Sequence, residues 1–215
     1  NFEGLDAQNY FVRLACATAE KDLTPFFERW GLHISKATYE FASQYGEKET
    51  LKMLHNLNNT PCVTVRVNGL KTEYDDAFEA LENLGYTVDE GYVCPEAIMI
   101  EAGSNPLDNP LFVEGKITVQ DESAMLVAPL LDLEENQVVI DLCSAPGGKT
   151  THIAEIMNTT GRVLAFDLYE NKLNLIKDHA NRLGITNIEV AQMDATKTNS
   201  DLISLADRVL VDAPC

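Results

Sequence analysis

Residues 138–150 read Val-Val-Ile-Asp-Leu-Cys-Ser-Ala-Pro-Gly-Gly-Lys-Thr, and the order of residue types in that stretch decides the fold. The β-branched run from Val138 to Ile140 reads as a buried strand that stops at Asp141. A loop of small residues, Ser144 to Gly148, follows. A helical pattern then begins near Lys149, with Ile153, Ile156 and Met157 expected on one face. Strand, glycine loop and helix in that order form the unit on which a doubly wound sheet seats a nucleotide-like ligand. Glycine removes the side chain where a ligand must meet the backbone, and the first turn of the helix offers N–H groups with no intrahelical partner.

The loop matches neither G-x-G-x-x-G nor G-x-x-x-x-G-K-[ST], which argues against a dinucleotide or a triphosphate. Further along, Arg162 to Leu168 is a second strand with Asp167 at its carboxyl end. Tyr169 to Leu183 is an amphipathic helix, with Leu173, Ile176, Ala180 and Leu183 at helical spacing. Ile188 to Met193 is a third strand leading to Asp194, and Asp207 to Val211 is a fourth that runs into Asp212-Ala-Pro-Cys215. Each strand thus hands a carboxylate (Asp141, Asp167, Asp194, Asp212) to the end where an open parallel sheet keeps its ligand crevice. A single aspartate after a strand is more often a helix cap or a turn residue, and Asp194 taken alone reads that way. Four in register favour a binding role for the set. Asp167 is the strongest single candidate, because an acid after the second strand can accept both hydroxyls of a ribose. With no phosphate cradle, the adenosyl ligand that fits is S-adenosylmethionine.

The segment 141–150 (Asp-Leu-Cys-Ser-Ala-Pro-Gly-Gly-Lys-Thr), taken with Asp-Ala-Pro-Cys at 212–215, resembles the RNA (cytosine-5) methyltransferases of the Fmu/Sun and Nop2 kind, nearest to their bacterial small-subunit rRNA branch. Gly115 to Ala124 resembles the segment that this family carries just before its methyltransferase sheet. Asn59 to Lys71, with Val65-Arg66-Val67-Asn68, resembles a strand of its preceding small α/β subdomain. The likeness covers residues 45–215. It implies an α/β chain with a small RNA-recognition-motif-like subdomain at 45–122, behind a helical segment of uncertain origin at 1–44. The N-terminal half of a Rossmann-like S-adenosylmethionine-dependent methyltransferase sheet would then occupy 123–215.

Carried over by position, the resemblance implies that Cys143, Ser144, Ala145, Pro146, Gly147, Gly148 and Lys149 wrap the methionine and ribose part of the cofactor. Asp167 would bind the ribose, Asp194 would lie beside the adenine, and Asp212 would face the reacting centre. The implied partner is RNA, small-subunit ribosomal RNA above all, methylated at carbon-5 of a cytosine. That carbon is a poor nucleophile. A thiolate therefore adds to carbon-6, carbon-5 attacks the sulfonium methyl, and loss of the carbon-5 proton expels the thiolate. In the family the nucleophile comes from a later Thr-Cys motif and the Pro-Cys cysteine assists release, which assigns release to Cys215. DNA cytosine methyltransferases use the Pro-Cys cysteine as nucleophile, the minority reading for Cys215.

The sequence departs from that pattern at both ends. It contains no Thr-Cys dipeptide, and it stops at Cys215 where the family continues with Ser-Gly and further strands. The expectation is a fragment that is inactive by itself. Its sheet order 3-2-1-4-5-7-6 would be broken off so that Val209, Leu210 and Val211 form an exposed edge. Residues 1–44 show helical periodicity without likeness to the family. Asp22 to Leu32 (Asp-Leu-Thr-Pro-Phe-Phe-Glu-Arg-Trp-Gly-Leu) resembles the tail of enhancin-like zinc metallopeptidases, yet no H-E-x-x-H is present to bring peptidase chemistry. A helical hairpin packing Phe26, Phe27 and Trp30 is the plainer reading, and a fused coding sequence would account for both ends.

Composition narrows the rest. No apolar run approaches the ~20 residues that span a bilayer, so no membrane partner is expected. The five cysteines, at 16, 62, 94, 143 and 215, are widely spaced without a C-x-x-C. The histidines at 33, 55, 152 and 179 form no ligand cluster. Both facts suit a reducing cytoplasm with neither a disulfide framework nor a bound metal. His152, one turn into the first sheet helix, reads as a surface or packing residue. The formal charge of −18 is wrong for a simple phosphate-binding surface. Residues 47–135 hold 18 acidic and 5 basic side chains, against 10 and 7 in 136–215. The acid reads as a solvated face, which leaves RNA affinity to local cations such as Arg66, Lys71 and Lys116.

Ahead of the methyltransferase segment, the pattern predicts a helix over 50–57, a turn at 58–61, a strand over 63–67 and a helix over 74–84. Two short strands follow within 86–100, then a loop over 105–110, a strand over 117–120 and a helix over 123–131. The alternative to an enzyme is a non-catalytic adenosyl- or RNA-binding module that keeps the fold. A small-molecule methyltransferase is a distant third, having no use for Pro-Cys.

Overall fold

In the computed structural model, residues 62–213 are described. The expected helix over 50–57, the turn at 58–61, the segment 1–44 and Cys215 lie outside the described residues. Within them, alternating apolar positions build a first sheet from β1 (Val63–Val67), β2 (Thr87–Glu90), β3 (Ala97–Ala102) and β4 (Ile117–Val119). Its order is β2-β3-β1-β4, with every neighbouring pair antiparallel. One face carries Val65, Val67, Ile98, Ile100 and Ile117 beneath Ala77 and Leu81 of α1 (Tyr74–Asn83). Successive strand residues point to opposite faces, so Arg66, Ala97 and Thr118 form a row across the other one. That row is buried too.

The subdomain has the strand arrangement expected of it, but its second sheet face is already covered by protein. Arg66 is 0% exposed, with its guanidinium bonded to Glu155, Gln120, Thr151 and the Gly148 carbonyl. Arg182 donates to Thr118 Oγ1 at 2.9 Å, and Ala97 clusters with Cys94 and Met125. The expectation of Arg66 as a cation for RNA is corrected accordingly; Lys71 and Lys116 stay at the surface, each with a protein partner. Lys71 Nζ donates to the Glu114 and Arg182 carbonyls, both at 2.8 Å, and Lys116 pairs with the Glu114 carboxylate at 2.8 Å.

The second sheet is parallel, in the order β7-β6-β5-β8. Its strands are β5 (Val138–Asp141), β6 (Arg162–Asp167), β7 (Ile188–Gln192) and β8 (Arg208–Leu210). This is the 3-2-1-4 start of the expected order. Val139, Val163 and Leu210 pack one face against Ile153, Ala154 and Met157 of α4 (Gly148–Ile156) and Ala180 and Leu183 of α5 (Glu170–Leu183). Both sheets fall within a single compact unit.

Three local expectations change. Ile156 is 37% exposed, whereas Thr151 and His152 are buried, because Arg66 and Glu96 of the first subdomain cover the face of α4 that a two-layer helix leaves wet; Thr150 is buried against Asp141. The expected loop at 105–110 holds a 3-10 turn, Pro106–Asp108, and the short α2 (Pro110–Val113). Asn105 and Asn109 cap them through side-chain oxygens that accept from Leu107 and Leu111 N–H, and each is followed by proline at the first helical position. The helix expected over 123–131 is only α3 (Glu122–Met125), capped by Asp121, and then a 3-10 turn that begins at Pro129, which has no N–H to continue a helix. No helix among the described residues is long and apolar enough to cross a membrane.

Candidate cofactor site

The loop between β5 and α4 is held from below by the acid that ends β5. Asp141 is 1% exposed; its Oδ2 accepts from Thr150 Oγ1 at 2.7 Å and its Oδ1 from Cys143 N–H at 3.3 Å. One carboxylate thereby fixes both ends of the loop, and burial pushes its pKa up from the usual carboxylate value. Asp141 is therefore a brace inside the protein. The sequence had placed it with the crevice acids. The loop then reaches across to β6, where Ser144 N–H and Oγ both donate to the Phe166 carbonyl, at 2.9 and 2.7 Å. Ala145 N–H donates to Asp167 Oδ2 at 3.2 Å. The Ala145–Pro146 bond is cis, and Gly147 at φ +109° turns the chain into α4.

Asp167 ends β6 on the far side of this loop. It is buried, and its carboxylate accepts from Ala145 N–H and, at 3.0 Å, from Tyr169 N–H. Cys143 lies half-buried inside the loop. Burial pushes its thiol up first, and the nearby carboxylates Asp141, Asp167 and Asp212 push it further. Hydrogen bonds from Cys143 N–H to Asp141, from Ala145 N–H to Asp167 and from Lys149 to Asp212 bring those three acids to the loop. Asp212, which follows β8, is exposed and paired with the Lys149 ammonium. One loop thus gathers every residue expected there from Cys143 to Lys149, together with Asp167 and Asp212.

Asp194 stands apart. It closes a turn, with Oδ1 accepting from Thr196 N–H at 3.0 Å and Thr196 Oγ1 at 2.6 Å and Oδ2 facing Lys197 Nζ at 3.2 Å. These hydrogen bonds lower its pKa from the usual carboxylate value. The turn also walls an open cleft of about 570 Å³ with Leu168, Gln192, Met193, Lys197 and Asn199, at the carboxyl ends of β6 and β7. Sequence reasoning missed Thr150, the Gln120 side chain and Glu155 of α4, and it gave Arg66 to RNA, whereas Arg66 grips α4 from the first sheet. Val65-Arg66-Val67 carried one signal, a cation at an alternate position of an otherwise apolar strand.

Comparison with known proteins follows the same division. Residues 128–215 match a family model described as 16S rRNA methyltransferase RsmB/F, and residues 38–105 match the ferredoxin-like domain of RsmF/B-like methyltransferases. A probable ribosomal RNA small subunit methyltransferase B of Bacillus subtilis is 38% identical over 177 residues, which is 82% of this chain and 39% of that protein. A mouse 28S rRNA (cytosine-C(5))-methyltransferase is 31% identical over 215 residues, 99% of this chain and 26% of its own length. That alignment runs through 1–44, where the sequence by itself showed no likeness to the family. The crystal structure of a methyltransferase homologue from Pyrococcus horikoshii superposes with a TM-score of 0.72 at 27% identity, covering 81% of this chain and 58% of that one. The chain spans well under two thirds of the length of the curated relatives it matches. With the ferredoxin-like and methyltransferase modules matched in their order along the sequence, the chain belongs to the RsmB/F family of methyltransferases.

Proposed function

We propose that this chain is the cofactor-binding part of an S-adenosylmethionine-dependent RNA (cytosine-5) methyltransferase acting on small-subunit ribosomal RNA in the cytoplasm. The observation that carries the reading is that Asp141, Asp167 and Asp212 each bond the glycine loop, at Cys143 N–H, Ala145 N–H and the Lys149 ammonium. With Asp212 offset by Lys149, Asp141 and Asp167 leave the loop net acidic, which repels a phosphate and favours a cation, so the loop suits an adenosyl ligand that bears a sulfonium and an ammonium. When bound, that cofactor supplies an electrophilic methyl group. Asp167 keeps lone pairs beyond those used by Ala145 and Tyr169 N–H, enough to accept from a ribose. The cleft beside Asp194 has room for an adenine, and Cys143 to Lys149 close over the remainder.

The same field sorts the cysteines. A thiol pushed up by burial and three carboxylates stays protonated at neutral pH, and the thiolate is the nucleophile, so Cys143 is a wall of the site. Attack at cytosine carbon-6 then falls to a cysteine elsewhere, and Cys215, three residues beyond Asp212, takes the release role. Lys149 neutralises and orients Asp212, whose carboxylate can accept from the exocyclic amino group of a cytosine. Calorimetry with S-adenosylhomocysteine against ADP tests the cofactor, and labelled-methyl transfer by the full-length gene product to separated rRNAs tests the substrate. Binding of ADP in preference to S-adenosylhomocysteine would refute the first. Cofactor binding with no methyl transfer to any RNA would favour a non-catalytic module, and transfer to tRNA or large-subunit RNA alone would move the substrate.

A further inference from the structure

We propose that Arg66, from the first sheet, is a positioning residue for the cofactor loop, an inference that rests on the cofactor reading above. Its guanidinium is wholly buried. Nη2 donates to Glu155 Oε1 at 2.7 Å and Nε to Glu155 Oε2 at 3.1 Å, a two-point fork. Nη2 also reaches Thr151 Oγ1 at 3.4 Å, while Nη1 donates to Gln120 Oε1 and, at 3.2 Å, to the Gly148 carbonyl. Positions 148, 151 and 155 are i, i+3 and i+7, one face of a helix. One side chain from another sheet therefore splints α4 from its first residue to its last turn.

The contact with Gly148 links this splint to the ligand side of the loop. A peptide unit is planar, so fixing the carbonyl of Gly148 fixes the direction of the Lys149 N–H on the other edge of the same plane. That N–H belongs to the first turn of α4, whose donors have no intrahelical partner. Thr151 Oγ1 donates to the same carbonyl at 3.0 Å, so two donors lock one peptide. The geometry assigns the small subdomain a role in cofactor affinity: its sheet face, closed to nucleic acid, sets the angle at which the loop meets its ligand.

A splint that only adds stability has to be told apart from one that orients the loop. Arg66→Lys keeps a charge beside Glu155 but loses the fork, and the double variant Arg66→Met, Glu155→Met removes both buried charges together. Asn68→Ala serves as control: it deletes buried bonds to the Gly115 and Leu183 carbonyls, at 2.8 and 3.0 Å, away from the loop. Amide exchange at 147–152 in the ligand-free chain and calorimetry with S-adenosylhomocysteine are the readouts. Both Arg66 variants should exchange faster there and bind about tenfold more weakly, as for a lost hydrogen bond to a charged group. Asn68→Ala should lose stability with neither change. Should the double variant fail to fold, Gln120→Met, which leaves the Arg66–Glu155 fork intact, should shift both readouts the same way by less. Unchanged loop exchange in the Arg66 variants, or an equal change in Asn68→Ala, overturns the proposal. If the unaltered chain bound no S-adenosylhomocysteine, the cofactor reading would fail, and loop exchange would still decide the role of Arg66.

Discussion

Gly147 and Gly148 are adjacent and chemically identical, yet alanine should act on them with opposite sign. Gly147 sits at φ +109° and ψ 2°, and a Cβ there would lie 3.2 Å from Ile176 Cα and 3.5 Å from Ile176 Cγ2. The nearer atom is backbone of α5 and cannot swing aside. A non-glycine residue in sparsely populated φ/ψ space costs ~1–3 kcal/mol, and the crowding places Gly147→Ala toward the upper end, about 2–3 kcal/mol. Gly148 begins α4 with ordinary φ, and its Cβ would meet only the Gln120 side chain, Cδ at 3.8 Å and Nε2 at 4.0 Å, normal contacts. Alanine is favoured over glycine within a helix by roughly 0.5–1 kcal/mol, and at the first position part of that remains, so Gly148→Ala should be neutral or slightly stabilising. At ~2–4 °C per kcal/mol for a chain of this size, Gly147→Ala should lower Tm by roughly 4–12 °C while Gly148→Ala leaves it within a degree or two. Urea denaturation at constant m-value measures both. Equal losses in the two variants would mean that the left-handed turn at Gly147 is not what shapes the loop.

Asp167→Ala removes the acceptor for Ala145 and Tyr169 N–H together with the ribose contact, so S-adenosylhomocysteine affinity should fall about tenfold or more; calorimetry showing an unchanged Kd would remove Asp167 from the site. In the full-length protein, Cys143→Ala should retain methyl transfer, whereas Cys215→Ala should accumulate a covalent RNA adduct on a denaturing gel. Lost methyl transfer in Cys143→Ala, with no adduct when Cys143→Ala is combined with Cys215→Ala, would make Cys143 the nucleophile. Burial holds His152 and His179 below the ordinary imidazole value, so the unfolded chain takes up protons first as pH falls. Stability is then fully present above about 6.5 and declines below it. Asp141, shifted upward, acts with opposite sign and only near its own lower range. The Tm of the unaltered chain should therefore drop between pH 7.5 and 5.5, and His152→Gln should flatten the curve; identical slopes would exclude His152 as a contributor.

The parallel half of the molecule was legible because strands buried on both faces must be continuous apolar runs, and β5 and β6 each end such a run on an acid. What the sequence could not show was register. Asp141 and Asp167 occupy the same place in their own strands, but Asp141 pairs with Ala165. β6 therefore runs two residues further, about 6–7 Å at ordinary strand rise, before it delivers Asp167. The shorter strand puts its carboxylate beneath the loop, where Thr150 and Cys143 N–H take it up, and the longer one puts its carboxylate beside the loop. Two identical motifs thus divide into a brace and a candidate ligand because of a pairing offset that neither motif encodes.

Arg66 was misread for a related reason. Alternation says which residues share a strand face and nothing about what covers that face. An arginine opposite valines therefore suggested solvent and phosphate, whereas its partner Glu155 lies 89 residues later, on a helix of the other sheet. An unpaired charge could not be buried there at tolerable cost, so the burial of Arg66 and the burial of Glu155 each require the other. The same pairing explains why Ile156 is displaced outward and Thr151 and His152 inward: α4 is packed on two sides, and the polar side is where the first sheet holds it. The small subdomain thus enters the site through the loop it steadies, and the cations available to meet RNA must be sought away from its covered face.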